Sequence, residues 1–272
     1  MMFALAAVAM TARTASPTPD RKPRMPPCCA IVELRQYTTY PGKRDALIEL
    51  FEREFIESQE ATGIRLVGQF RDLGDPNRFV WLRGFADMPV RARALGAFYS
   101  GPVWKAHRAA ANATMFDSDN VLLLHPARSG AGFDLAATER AAPGQPAGAP
   151  ELVVATIYSF AQPVSAAFVD WFDSALRPAF ERAGSVVLAE LVSDHSENTF
   201  PKLPVREGEN AFVWLARYPG RAAYDEYLAK LAGDARWSSD GFAALYKQLA
   251  RPPETVLLQP TPRSRIGHTA AR

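Results

Sequence analysis

The chain has 272 residues and two cysteines, Cys28 and Cys29, which are neighbours. Adjacent residues cannot tie distant parts of a fold together, so a disulfide framework is excluded and a reducing compartment is the simplest expectation. No histidine or carboxylate flanks the pair at ligand spacing, and the four histidines, His107, His125, His195 and His268, show no metal-binding spacing either, so no metal is expected. There is no phosphate loop, no dinucleotide-binding glycine fingerprint after a strand, no H-E-x-x-H and no G-x-S-x-G, which argues against phosphotransferase, nicotinamide-dependent and metalloprotease chemistry. The apolar stretch Met1 to Met10 is too short to span a membrane and lacks a basic flank. The net charge of +2 comes from basic residues near the two ends; without them the body is about −4, which leaves no electrostatic footprint for nucleic acid or an anionic membrane.

What is present is a pattern read twice. Phe79-Val80-Trp81-Leu82 returns as Phe212-Val213-Trp214-Leu215, and a further Trp (Trp104, Trp237) follows each at the same interval, before a strand ending Leu-Leu-His-Pro or Leu-Leu-Gln-Pro. The first copy opens on a strand, Ile31 to Thr38, that stops at Tyr40-Pro41-Gly42. From Lys43 to Ala61 the residues Leu47, Leu50, Phe51, Phe55 and Ile56 recur at helical spacing, and Thr62-Gly63 ends the helix. A hairpin over Ile64 to Phe85 follows, then two short helices broken at Ser100-Gly101-Pro102, then a strand from Asn120 to His125.

The expected class is therefore α+β, with tandem ferredoxin-like (βαββαβ) units in a dimeric α/β-barrel arrangement. The divisions are a leader over 1–27, with Met25 as an alternative start, a first unit over 28–126, a flexible Ala/Gly/Pro-rich linker over 127–150, a divergent second unit over 151–260 and a disordered tail over 261–272. The leader's arginines and poverty in acids would suit a mitochondrial transit peptide; otherwise a cytoplasmic location is expected. The apolar sheet faces must be covered, by the other unit or by a second chain, so a homo-oligomer is open as well.

Polarity marks the first copy as the place to look. Glu33, Arg35 and Tyr37 share one face of their strand, with Gln69, Arg71, Trp81 and Arg83 on neighbouring strands; the second copy offers Val154, Thr156, Tyr158, Trp214 and Ala216 instead. Glu33, Arg35 and Arg83 could equally form an ion-pair network that only closes a sheet. Trp104 and His107, three apart after the Gly101-Pro102 break, share a helix face, and His107 is a candidate base. A lone histidine at a helix surface is also a common capping group, and a Trp kept in both copies is a common packing group.

Glu33-Leu34-Arg35-Gln36-Tyr37-Thr38 with Pro41-Gly42, then Gly68-Gln69-Phe70, Phe79 to Phe85, and Tyr99 with Gly101-Pro102-Val103-Trp104 together resemble the NIPSNAP family over Ile31 to Pro126, and the second copy resembles it more weakly. The resemblance implies the dimeric α/β-barrel superfamily, whose relatives include small monooxygenases, haem-degrading enzymes and lactone isomerases, several of which need no cofactor. The haem-degrading relatives place Asn, Trp and His around haem; Trp104 and His107 are similar to two of these, whereas the first strand offers no Asn. Two readings follow. In one, Tyr37, Gln69, Trp81, Arg83, Tyr99 and Trp104 bind a small apolar, aromatic or quinone-like molecule, with Arg35 or Arg83 on its oxyanion and His107 moving a proton, without a cofactor. In the other, the protein is a non-catalytic scaffold that binds a ligand or other proteins.

Overall fold

The structure, a computed structural model, describes residues 28–136, 138–145, 147–234 and 241–269. The first half runs β1 (Ile31–Thr39), α1 (Arg44–Leu50), a π-helical turn (Phe51–Phe55), α2 (Ile56–Glu60), β2 (Arg65–Asp72), β3 (Arg78–Phe85), α3 (Met88–Ser100), α4 (Pro102–Asn112), β4 (Met115–Asp117) and β5 (Val121–Pro126). The second runs β6 (Leu152–Ser159), α5 (Ala166–Trp171), a second π-helical turn (Phe172–Leu176), α6 (Arg177–Ala183), β7 (Val186–Ser193), β8 (Ala211–Tyr218), α7 (Arg221–Gly233), α8 (Phe242–Tyr246) and β9 (Arg251–Pro260).

Local chemistry sets the boundaries. Gly63, at φ +96°, takes the left-handed conformation that ends α2 cheaply, and Gly184, at φ +118°, does the same for α6. Asp87 caps α3 by accepting from the Val90 amide at 2.6 Å, and Ser165 caps α5 through Phe168. Gly101 and Pro102 separate α3 from α4 as their order suggests: Pro102 occupies the first helical position, and a Cβ at Gly101 would sit 3.0 Å from the Ala97 carbonyl oxygen.

Eight strands close into one antiparallel barrel, in the order β3-β2-β9-β6-β8-β7-β5-β1 with β1 returning to β3, and the short β4 adds beside the end of β1. The two halves meet edge to edge at two seams, β5 with β7 (Leu124 opposite Ser193) and β2 with β9 (Phe70 opposite Pro260). Closure leaves the barrel strands without unpaired edges, within one chain. Alternation then sorts the side chains. Val32, Leu34, Val80, Leu82, Leu122 and Leu124 meet Val153, Ala155, Val213, Leu215 and Leu258 inside the barrel, while the opposite face of each half is covered by its own helices.

Three expectations are corrected. The 127–150 segment is not a loose linker: Phe133 and Leu135 are buried in the barrel core, and Arg140 bonds the Glu60 carboxylate (3.0 Å) and the Leu66 carbonyl (2.8 Å). Within the presumed tail, Thr261, Arg263, Ser264 and Ile266 are buried too, with Arg263 held by the Glu57 carboxylate and the Glu52 carbonyl. Alanine, glycine and proline hide this because a few anchors, not a periodic stripe, hold the segments. The third concerns Cys28 and Cys29, which form a disulfide with each other. No part of the fold is bridged by it, but the pair is not free thiol; Cys29 packs in the barrel core, against Gly84. Trp237 lies outside the described residues.

Candidate functional site

The odd-numbered residues of β1 face the helices of the first half, and the strand register fixes their neighbours on β3: Glu33 opposite Arg83, Arg35 opposite Trp81, Tyr37 opposite Phe79. Glu33, wholly buried, is the hub. Its Oε2 accepts from Arg35 Nη1 at 2.6 Å and Arg83 Nε at 2.8 Å, and its Oε1 accepts from Arg91 Nε at 2.7 Å. Among the described residues no second carboxylate lies within ion-pair distance of these three guanidiniums, so the buried cluster carries one negative and three positive charges. Burial alone would raise the Glu33 carboxyl, but Arg83, Arg35 and Arg91 outweigh it and hold the group well below the usual carboxylate range. Arg91, by contrast, is lowered, because its burial outweighs the attraction of Glu33.

The remaining donors of the cluster reach outward. Arg35 Nε donates to the Tyr37 hydroxyl at 2.9 Å, Arg83 Nη1 to Gln59 Oε1 at 3.2 Å, and Arg91 Nη1 to Asn198 Oδ1 at 3.0 Å. Burial pushes the Tyr37 phenol up to about 12 against the pull of Arg35, so at neutral pH it is an O–H group. Arg35 and Arg83 also lie over the Trp81 ring, at 5.4 and 5.1 Å from its centroid, a cation–π arrangement on a buried ring.

Between this cluster and the helices lies a cavity of about 510 Å³. Tyr37, Phe79 and Trp81 of the sheet form its floor, and Phe51, Phe55 and Gln59 line it from the first helical run. Gly96, Tyr99 and Trp104 line it from α3 and α4. The hairpin loop between β7 and β8, from the other half of the chain, contributes Phe200, Lys202 and Leu203, and Phe200 stacks on Tyr99 with ring centroids 5.8 Å apart. Its size and its lining, rich in aromatic side chains, are those of a small-molecule pocket.

Of the residues singled out from sequence, Tyr37, Trp81, Tyr99 and Trp104 are brought together on this wall. Arg35 and Arg83 stand directly behind it, fully buried, where they touch Tyr37, Trp81 and Gln59 but do not line the space. Gln69 is turned away and accepts from Arg140 at 3.2 Å. His107 is not on the wall: its Nε2 lies 3.4 Å from Glu54 Oε2, and its ring meets the edge region of Phe55.

Arg91, Gln59 and Phe200 were not anticipated. Two of them carried a readable signal. Arg91 occupies the same helix face as Ala94, Leu95 and Phe98, and Gln59 continues the face of Phe51 and Phe55, so each is a polar residue at a core position. For Phe200 no local signal existed, since nothing nearby says which half a long loop will cover.

In the second half the matching positions carry different side chains. Thr156 lies opposite Trp214 and Val154 opposite Ala216, where the first half has Arg35 opposite Trp81 and Glu33 opposite Arg83. Phe180, four residues past its π-helical turn as Gln59 is past the other, stacks on Trp214 with centroids 4.8 Å apart.

His107, which the sequence reading offered as a haem ligand, is not among the residues that line this cavity. Among the described residues no group of three or more His, Cys, Asp or Glu side chains could hold a metal ion, and no helix is long and apolar enough to cross a membrane.

An antiparallel α/β barrel with one aromatic cavity between sheet and helices is thus the class that fold and site define. Residues 32–128 match the NIPSNAP family model. A NIPSNAP-like domain protein from Burkholderia xenovorans is 32% identical, the match covering 35% of this chain and 84% of that one, with a TM-score of 0.33. The chain belongs to the NIPSNAP family. Over nearly its whole length it shares its fold with an anthrone oxidase-like protein (15% identity, 89% of this chain and 96% of that one, TM-score 0.53) and a candidate monooxygenase from Fusobacterium nucleatum (11%, 88% and 95%, TM-score 0.50). Among curated proteins none matches the sequence.

Proposed function

We propose that the first half binds a small aromatic or quinone-like molecule in its cavity and acts on it as a cofactor-independent monooxygenase or isomerase. The observation that carries this reading is the asymmetry of the two halves: the same β-α-β-β-α-β order and strand register enclose about 510 Å³ beside Trp81 but a Phe180–Trp214 stack in the other half. On this reading the halves are tandem ferredoxin-like units, the second a divergent copy that keeps the barrel closed and lends the loop of Phe200 as a cover. Tyr37, Trp81, Tyr99 and Trp104 hold the ligand by its ring faces, and the buried arginines set the field across it.

The test is a thermal-stability screen of the full chain with naphthoquinones, anthrones and small phenolic acids, each also assayed for oxygen uptake. A ligand at a hundredfold excess over its dissociation constant stabilises the fold by about 2.7 kcal/mol, a shift of several degrees. No stabilisation by any of these classes would remove the small-molecule reading and leave the protein-binding scaffold, which supposes no ligand in the cavity.

A further inference from the structure

The polar groups at the inner end of the cavity are all turned the same way. The Tyr37 oxygen already accepts from Arg35 Nε, so its O–H is the group left to give; Gln59 Oε1 already accepts from Arg83 Nη1, and its Nε2 donates to the Phe55 carbonyl at 3.0 Å with a second N–H remaining. The Trp81 indole is a donor with no acceptor lone pair, and its Nε1 is buried without a partner. Behind these three wall residues, the Nη2 atoms of Arg35, Arg83 and Arg91 are likewise buried and unpartnered, in a cluster with two positive charges in excess. Buried donors left unmade and buried charge left unbalanced are both costly, and one kind of ligand relieves both: an oxygen that only accepts and carries negative charge.

We infer that the inner end of the cavity is an oxyanion site, which takes an aromatic ligand as its phenolate or enolate, the oxygen accepting from the Tyr37 hydroxyl. This rests on the cavity being the ligand site. Tyr37 is the group that touches the ligand's oxygen; Arg35, Arg83 and Arg91 are positioning residues, which polarise that donor from behind and favour the anion without reaching it. The phenol or enol proton passes to solvent as the anion settles, so the site selects for ionisation as well as shape. Among the described residues Glu33 is the only carboxylate bound to the cluster, and its charge is shared by three guanidiniums. Tyr99, beside Tyr37 and Arg35, and the exposed Lys202 are the other titratable groups on the wall.

The probe is 4-nitrophenol, whose anion is coloured and whose acid is not, compared with 4-nitrotoluene, which has the same shape and no acidic oxygen. Titrated against pH with the full chain, bound 4-nitrophenol is expected to ionise at least about one pH unit below the free compound, a tenfold preference for the anion, and to bind at least as much more tightly than 4-nitrotoluene. Tyr37→Phe, which keeps the ring, should return the bound pKa towards the free value. Gln59→Glu, a near-isosteric change that places a negative charge on the wall, should abolish the preference even where Tyr37→Phe folds poorly. Equal binding of the two probes, or an unshifted pKa, overturns the oxyanion site and leaves the cavity reading standing. Failure of both probes to bind overturns this inference together with the cavity reading.

Discussion

Phe180 lies stacked on Trp214, centroids 4.8 Å apart and planes 12° from parallel, in the position that Gln59 holds beside Trp81 in the other half. One aromatic ring stands where the first half, beside its cavity, has an amide. The amide is kept open by Arg83, which bonds its oxygen, and Arg83 in turn is kept by Glu33. Each polar group in this chain would be expensive to bury alone, and each is buried because the next one is there.

Gly96 lines the cavity from the middle of α3, and a Cβ there meets nothing within 4 Å. Gly96→Leu is expected to stabilise the helix by about 0.8 kcal/mol from propensity alone. The same side chain grows into the cavity. A higher melting temperature with weaker binding of any cavity ligand is the expected pair of results, read by calorimetry and titration on one sample; stronger or unchanged binding would show that the ligand sits elsewhere.

Glu33→Gln leaves three guanidiniums around a neutral amide, and a broken buried ion pair costs about 3 to 5 kcal/mol. The pH dependence has a definite sign. The folded carboxyl is held below its ordinary 4.5, so its contribution is complete above that value and is lost as pH falls from there towards the folded pKa, because the unfolded chain takes up the proton first. Denaturant unfolding between pH 6 and pH 3 should show a steeper acid loss for the wild type than for Glu33→Gln. Parallel curves would mean that Glu33 is not the hub of the network.

A Cβ on Gly84 would come 2.2 Å from Cys29 Sγ and 2.5 Å from its Cβ. Gly84→Ala is expected to cost about 1 to 3 kcal/mol, as overpacking does in a filled core. Reducing the Cys28–Cys29 disulfide frees Cys29 to shift, so a reductant should narrow the gap between variant and wild type in a thermal melt. A gap unchanged by reductant would place the clash elsewhere.

Much of the architecture was legible in the sequence because its local signals are clear and several of them occur twice. Ile31 to Thr38, the Gly101-Pro102 break and the two Phe-Val-Trp-Leu strands read directly, since alternation, helix spacing and turn residues are local. What was not legible depends on contacts made far along the chain. The burial of Phe133 and Leu135, and the loop of Phe200 lying over the other half, follow from barrel closure and have no local pattern. At the site, the polarity of Glu33, Arg35, Tyr37 and Arg83 pointed to the half that holds the cavity of Tyr37 and Trp81. The pattern could not tell that the arginines stand behind the wall, nor that His107 faces Glu54 and not the cavity. Arg91 and Gln59 were within reach, as polar residues on otherwise apolar helix faces.

The most direct measurement is a crystal structure of the protein with the aromatic ligand that stabilises it most in the screen. The account expects that ligand between Trp81 and Trp104, under Phe200, with its oxygen at the Tyr37 hydroxyl. A ligand found instead in the groove lined by His125, Asp170 and His195, or on the outer surface, would contradict it.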